Sequence, residues 1–72
     1  MRQFIFRLNV SFDTFKPYYQ GVVENVQVTD INGVVIRING RHFRQFLTAE
    51  GIHGNFRLTI EDNGHFKSLE KL

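Results

Sequence analysis

VQVTDINGVVIRI, residues 26–38, sets two alternating runs of β-branched residues around an Asp-Ile-Asn-Gly turn. The pattern is that of a β-hairpin, and its register can be read from the letters. A two-residue Asn32-Gly33 turn pairs Val28 with Arg37 and sends the apolar sets to opposite faces. A three-residue loop, Ile31 to Gly33, pairs Val28 with Ile36 and Val26 with Ile38. Because a one-residue slip turns every side chain to the other face, the longer loop is the expected one, with Gly33 in the left-handed position of a bulge. Extended back to Val22, the first strand carries Glu24 as the misfit on its inner face.

Before the hairpin, Phe4, Phe6, Leu8 and Val10 alternate with Gln3, Ile5, Arg7 and Asn9, the period of a strand with one buried face. Ser11 or Asp13 then caps a short helix bearing Phe12, Phe15 and Tyr18 or Tyr19, which ends before Gly21. Proline inside a helix removes a hydrogen bond, so Pro17 favours Asp13 as the cap or a distorted, partly 3₁₀ segment. Tyr18-Tyr19-Gln20-Gly21 forms the last turn and its stop. Adjacent helical residues point about 100° apart, so one ring enters the core and the other lies along its border.

After the hairpin, Asn39 caps a second helix with Phe43, Phe46 and Leu47 on one side and Gly51 as its stop, Ile52 folding back onto Leu47. Phe56, Leu58 and Ile60 make a strand, with Gly54 allowing a close approach at its entry. Asp62-Asn63-Gly64 is a turn, and Phe66 to Leu72 fits a bulged strand or a closing helical turn. Phe6 to Val10, FRLNV, is echoed by FRLTI at Phe56 to Ile60. The fold expected is α+β, of order β-α-β-β-α-β-β: one domain over residues 1–72, with an antiparallel sheet of about five strands and two short helices on one face.

Seventy-two residues without cysteine must be held by their apolar core, which eight Phe and two Tyr supply. A chain of this length buries only about 60% of the surface its unfolded form exposes, so the margin is thin. The alternating amino terminus is neither a signal peptide nor a membrane span, which points to the cytoplasm. A net charge of +2 is ordinary for a small domain.

Little in the chain points to catalysis. His42, His53 and His65 show no metal-ligand spacing and read as surface or turn residues. Ser11 and Ser68 stand outside any nucleophile elbow, and Glu61-Asp62 is a turn pair. The expectation is no enzyme, no metal and no cofactor.

Binding is the remaining class. Arg7, Arg37 and Arg57 have outward parity on three strands, and Arg41 and Arg44 lie on or near the second helix. A guanidinium presented by a rigid element can take a phosphate or carboxylate through two hydrogen bonds, or can cover apolar neighbours with its stem. Nearly every Phe has inward parity, whereas sheet-type binders of single strands need aromatics on the open face. Ile5, Val23 and Val35 also point outward and would form an apolar patch if their strands were neighbours. The function expected is an interaction module for another protein or a second copy. The alternative is weak phosphate or nucleic-acid binding through the arginines.

Taken in order, FxFxLxVS, YYQG, a hairpin with Asn-Gly, an Arg-x-Phe helix and GIxGxFxL before Phe-x-x-Leu resemble the small bacterial proteins grouped as domain of unknown function 2835. The carriers are Phe4, Phe6, Leu8, Ser11, Tyr18, Tyr19, Gln20, Gly21, Gly33, Arg44, Phe46, Gly51, Ile52, Gly54, Phe56, Leu58, Phe66 and Leu69. Family members often have proline near the start of the second helix and just after its arginine, where this chain has Asn39-Gly40 and Gln45. The resemblance implies a small, soluble bacterial protein with no established activity, and it leaves Tyr18, Tyr19, Gln20, Gly21 and Arg44 as candidate functional marks.

Overall fold

The hairpin forms in the register that burial of one face requires. In the computed structural model, which describes residues 1–72, Val28 faces Ile36 and Val26 faces Ile38. The Asp30 N–H donates to the Val34 carbonyl at 2.9 Å and the Gly33 N–H to the Asp30 carbonyl at 3.0 Å, closing the three-residue loop with Gly33 at φ +82°. One oxygen of the buried Asp30 carboxylate accepts from the N–H groups of Asn32 and Val34, at 2.9 and 2.7 Å. Those tight-loop donors are thereby satisfied. The same loop recurs at Glu61 to His65, where Glu61 N–H reaches the His65 carbonyl and Gly64 N–H the Glu61 carbonyl, both at 2.8 Å.

In chain order the elements are β1 (Arg2–Val10), α1 (Phe12–Tyr19), β2 (Asn25–Thr29), β3 (Val35–Asn39), a 3₁₀ helix (Gly40–Phe46), β4 (Ile52–Ile60) and β5 (Phe66–Lys71). The strands divide into two sheets, β1-β4-β5 and β2-β3, rather than the single sheet expected. The reason lies at β1. It pairs along its whole length with β4, Arg2 opposite Ile60 and Val10 opposite Ile52. Its other side meets β2 at one bridge, Phe6 to Asp30, beside which the Ile31 N–H donates to the Ile5 carbonyl at 2.8 Å. Beyond that point the hairpin turns away, and Val26, Val28 and Ile38 join Phe4, Phe6, Leu8, Phe56, Leu58 and Leu69 in one core.

Phe56 is the centre of that core. Its fully buried ring lies 5.7 Å from Phe6 directly across the β1–β4 pair, 5.9 Å from Phe43 and 5.1 Å from Phe46. Offset and edge-on pairs of this kind add about 0.5–1.5 kcal/mol each beyond the area they bury. Of the echoed FRLNV and FRLTI, only the leading Phe6 and Phe56 face each other; the rest run apart, Leu8 opposite Gly54 and Leu58 opposite Phe4.

Ser11 is the cap of α1, its hydroxyl accepting from the Thr14 N–H at 3.2 Å, and Pro17 sits inside a regular α-helix. Neither a cap at Asp13 nor a 3₁₀ distortion is present. The helix closes in a Schellman motif: the Val22 N–H donates to the Pro17 carbonyl at 2.9 Å and the Gly21 N–H to the Tyr18 carbonyl at 3.2 Å. Since the Val23 N–H also reaches the Pro17 carbonyl, at 3.2 Å, Val22 and Val23 cannot begin a strand, and β2 starts at Asn25. Glu24 is exposed rather than turned inward, and its carbonyl accepts the Gly40 N–H at 2.8 Å.

Asn39 caps the second helix, accepting the Arg41 N–H at 3.0 Å, but that helix is 3₁₀ and not α. Phe43 and Phe46 are three residues apart, and a helix of about three residues per turn places both on one face. Leu47 is already extended, so it does not continue the helix, and Gly51 is no helix stop. Thr48 and Gly51 exchange two backbone hydrogen bonds, at 2.9 and 3.0 Å, and β4 begins at once at Ile52, earlier than the Phe56 expected. A Cβ on Gly51 would overlap the Val10 carbonyl oxygen and lie 2.7 Å from the Ser11 carbonyl carbon. Gly54 does allow a close approach, since a Cβ there would meet the Lys71 side chain at 2.8 Å. The last segment is the bulged strand: the register shifts beside Ile60, so Phe66 stands opposite Ile60 while Leu69 stands opposite Leu58.

The two glycines separate conformation from space. Gly21 has φ +78° with nothing near its missing Cβ, so Gly21→Ala should cost roughly 1 kcal/mol, from the backbone alone. Gly51→Ala must also displace the corner between β1 and α1, and should abolish the cooperative thermal transition. Similar melting temperatures for the two variants would contradict that crossing.

Candidate functional site

The residues marked by the sequence gather in part. Tyr18, Gly21, Val23, Glu24, Asn39, Arg41 and Arg44 line a hollow of about 320 Å³ where α1 ends against the 3₁₀ helix. Tyr18 is the inward ring, half-buried and stacked on Phe15 at 5.6 Å, and its Cβ lies so close to Gly40 that any side chain there would meet it at 2.9 Å. Tyr19 is the outward one, 52% exposed. Arg44 lies over the Tyr19 ring at 5.2 Å and donates to the Tyr19 carbonyl at 2.9 Å. That carbonyl belongs to the negative end of the α1 dipole, so the guanidinium meets charge and hydrogen bond together. Gln20 is the exposed C-cap.

The other arginines lie elsewhere. Arg7 and Arg57 share the outer face of the three-stranded sheet, where Arg57 is paired with Glu70 at 3.3 Å. Arg37, on β3, borders a different groove. Ile5, Val23 and Val35 do not assemble the patch drawn from parity: β2 lies between β1 and β3, and Val23 belongs to the helix ending. No three of the His, Asp and Glu side chains gather to hold a metal ion, and no helix is long and apolar enough to cross a membrane.

The largest hollow was not marked by the sequence. A groove of about 490 Å³ runs between β3 and the three-stranded sheet, with Phe4, Leu58, Ile60, Ile36 and Ile38 among its lining. Every residue from Val34 to Asn39 borders it, both parities together, so it follows the edge of β3 and not merely one face. That edge is unpaired. The hydrogen-bonded rungs of the hairpin fall at Glu24–Gly40 and Asp30–Val34, which by alternation sets the N–H and C=O groups of Val35, Arg37 and Asn39 outward. Val34 and Val35 are 42% and 57% exposed beside it. The consecutive valines, where strict alternation asks for a polar residue, were the one signal of this edge in the sequence. Arg2 and Arg37 stand in the lining, with Arg2 at 5.1 Å over the Phe4 ring, and no carboxylate does.

One end of the groove is closed by His42 and Phe66, whose rings stack at 3.7 Å and 5°. The bulge at Lys67 is what turns Phe66 to that side. Burial lowers the His42 pKa below its usual value of 6.5, and the charge of Arg41 lowers it further. A ring that is harder to protonate when folded binds fewer protons than in the unfolded chain. Its stabilisation is therefore complete above about pH 6.5 and declines as the pH falls through that value, levelling off below the folded-state pKa. His42→Phe keeps the stacking partner and removes the titration. Between about pH 7.5 and 5.5 the parent should lose more thermal stability than this variant; equal losses would mean that His42 titrates as a free side chain.

Residues 2–72 match the family model described as "Protein of unknown function (DUF2835)". No curated protein and no solved structure matches the chain. The match spans essentially the whole of β1 through β5, and the chain belongs to that family.

Proposed function

We propose that the chain is a non-enzymatic interaction module that takes an extended segment of another protein along the free edge of β3. The observation that carries this reading is the difference between β3 and β5, the two edge strands that no bridge joins to a further strand. β5 presents Lys67, Glu70 and Lys71 and is broken by a bulge, the devices by which an edge strand is kept from pairing. β3, with Val34 just before it, presents Val34, Val35, Ile36 and Ile38 with one charge, Arg37, above an apolar groove. Main-chain pairing supplies affinity in such strand addition, and alternate side chains of the guest enter the groove.

A site of catalysis would need groups able to exchange protons in oriented pairs. The groove holds a single imidazole, His42, which burial and Arg41 make harder to protonate and which faces a phenyl ring. Phosphate binding through the arginines is supported less well. Arg44 and Arg57 already have partners, and Arg7, Arg37 and Arg41 lie on three different surfaces.

Selection of a displayed random-peptide library on the immobilised protein tests the proposal. The Val35 N–H faces away from β2, so Val35→Pro removes an edge donor without breaking a rung of the hairpin. Selected peptides should alternate apolar residues, and Val35→Pro should lose them while still melting cooperatively. Failure to select any peptide, or binding unaffected by Val35→Pro, would overturn the proposal.

A further inference from the structure

The charge around the groove narrows the class of guest. Resting on the strand-addition reading above, we infer that the guest is an acidic extended segment, with aliphatic side chains alternating with carboxylates.

The lining holds Arg2 and Arg37 and neither Asp nor Glu. Arg2 has its guanidinium over the Phe4 ring, at 5.1 Å from the ring centre, and has no carboxylate partner in the chain. Arg37 is exposed on β3 and likewise forms no ion pair within the chain. Two unpaired guanidinium groups beside an apolar floor meet a carboxylate favourably through paired hydrogen bonds, and they repel a basic strand.

The same charges weigh against a second copy as the guest. Two β3 edges related by a twofold centred on Arg37 would set like charges directly opposite one another, which is unfavourable in a strand pair. β5, the other edge that no bridge joins to a further strand, offers two lysines for one glutamate. Both of these edges are therefore net basic. The floor, in contrast, is made of Phe4, Ile36, Ile38, Leu58 and Ile60, which suits every second side chain of the guest being aliphatic. A nucleic acid would satisfy the arginines but would leave this floor without an apolar partner, and no Phe or Tyr ring stands on the outer sheet face for stacking bases.

Calorimetric titration of the whole protein with three capped peptides about as long as β3 tests the inference. One alternates valine with glutamate, one valine with serine and one valine with lysine. The glutamate peptide should bind about tenfold or more tightly than the serine peptide, and the lysine peptide should bind more weakly than either. In the double variant Arg2→Gln, Arg37→Gln the three affinities should converge on that of the serine peptide, and raising the salt should bring the parent towards the same result. Equal affinities in the parent would overturn the acidic guest and leave strand addition standing. No binding of any peptide would overturn strand addition itself. Displacement of the glutamate peptide by a single-stranded oligonucleotide of equal charge, or self-association of the protein in place of peptide binding, would also overturn the inference.

Discussion

A single backbone bridge, Phe6 to Asp30, joins the two sheets, and the rest of the architecture follows from how little it fixes. On one side of it β1 is committed to β4 for its full length, with Phe6 stacked on Phe56 at the middle of the pair. On the other side β2 leaves β1 as soon as it has met it. Asp30 makes that meeting possible by satisfying two loop N–H groups with its carboxylate, so the bridge can be buried without stranding donors. The hairpin is then free to swing over the apolar face of the three-stranded sheet, and its inner residues complete the core.

That arrangement does not close. β3 and β5 are the outer strands of two separate sheets, and neither has a partner on its far side. β2 and β3 are five residues each, and the hairpin they form meets the three-stranded sheet through one bridge only. The fold fills one end of the gap with the His42–Phe66 stack and leaves the remainder as a groove. The groove is thus what remains between two sheets hinged at one bridge. Its apolar floor is the margin of the core, and its wall is a strand edge.

The helix ending at Tyr18-Tyr19-Gln20-Gly21 does separate work. It spends the Val22 and Val23 N–H groups on the Pro17 carbonyl, which delays β2, and it seats Tyr18 against Gly40 and Arg44 against Tyr19. These contacts fix α1 to the 3₁₀ helix and so hold Phe15 and Phe43 in place over the sheet.

What could be read from the sequence was whatever depended on face and period. The hairpin register, the division of the two tyrosines into one inward and one bordering ring, the stop at Gly21 and the family follow from residues close in the chain or from their order. What could not be read depended on contacts between distant residues. The split into two sheets rests on Phe6 meeting Asp30, and the need for glycine at Gly51 rests on the Val10 carbonyl passing beside it. The groove depends on both, so the arginines Arg37 and Arg2 acquire a shared setting only once β3 is placed beside β1 and β4. Amide hydrogen exchange of the free protein, resolved by residue, tests the open edge most directly. The Ile31 N–H should be protected although the residue is 72% exposed, and the Val35, Arg37 and Asn39 N–H groups should exchange rapidly while those of Ile36 and Ile38 are slow. Slow exchange along the whole of β3 would mean that its edge is already covered, and would contradict a free strand waiting for a partner.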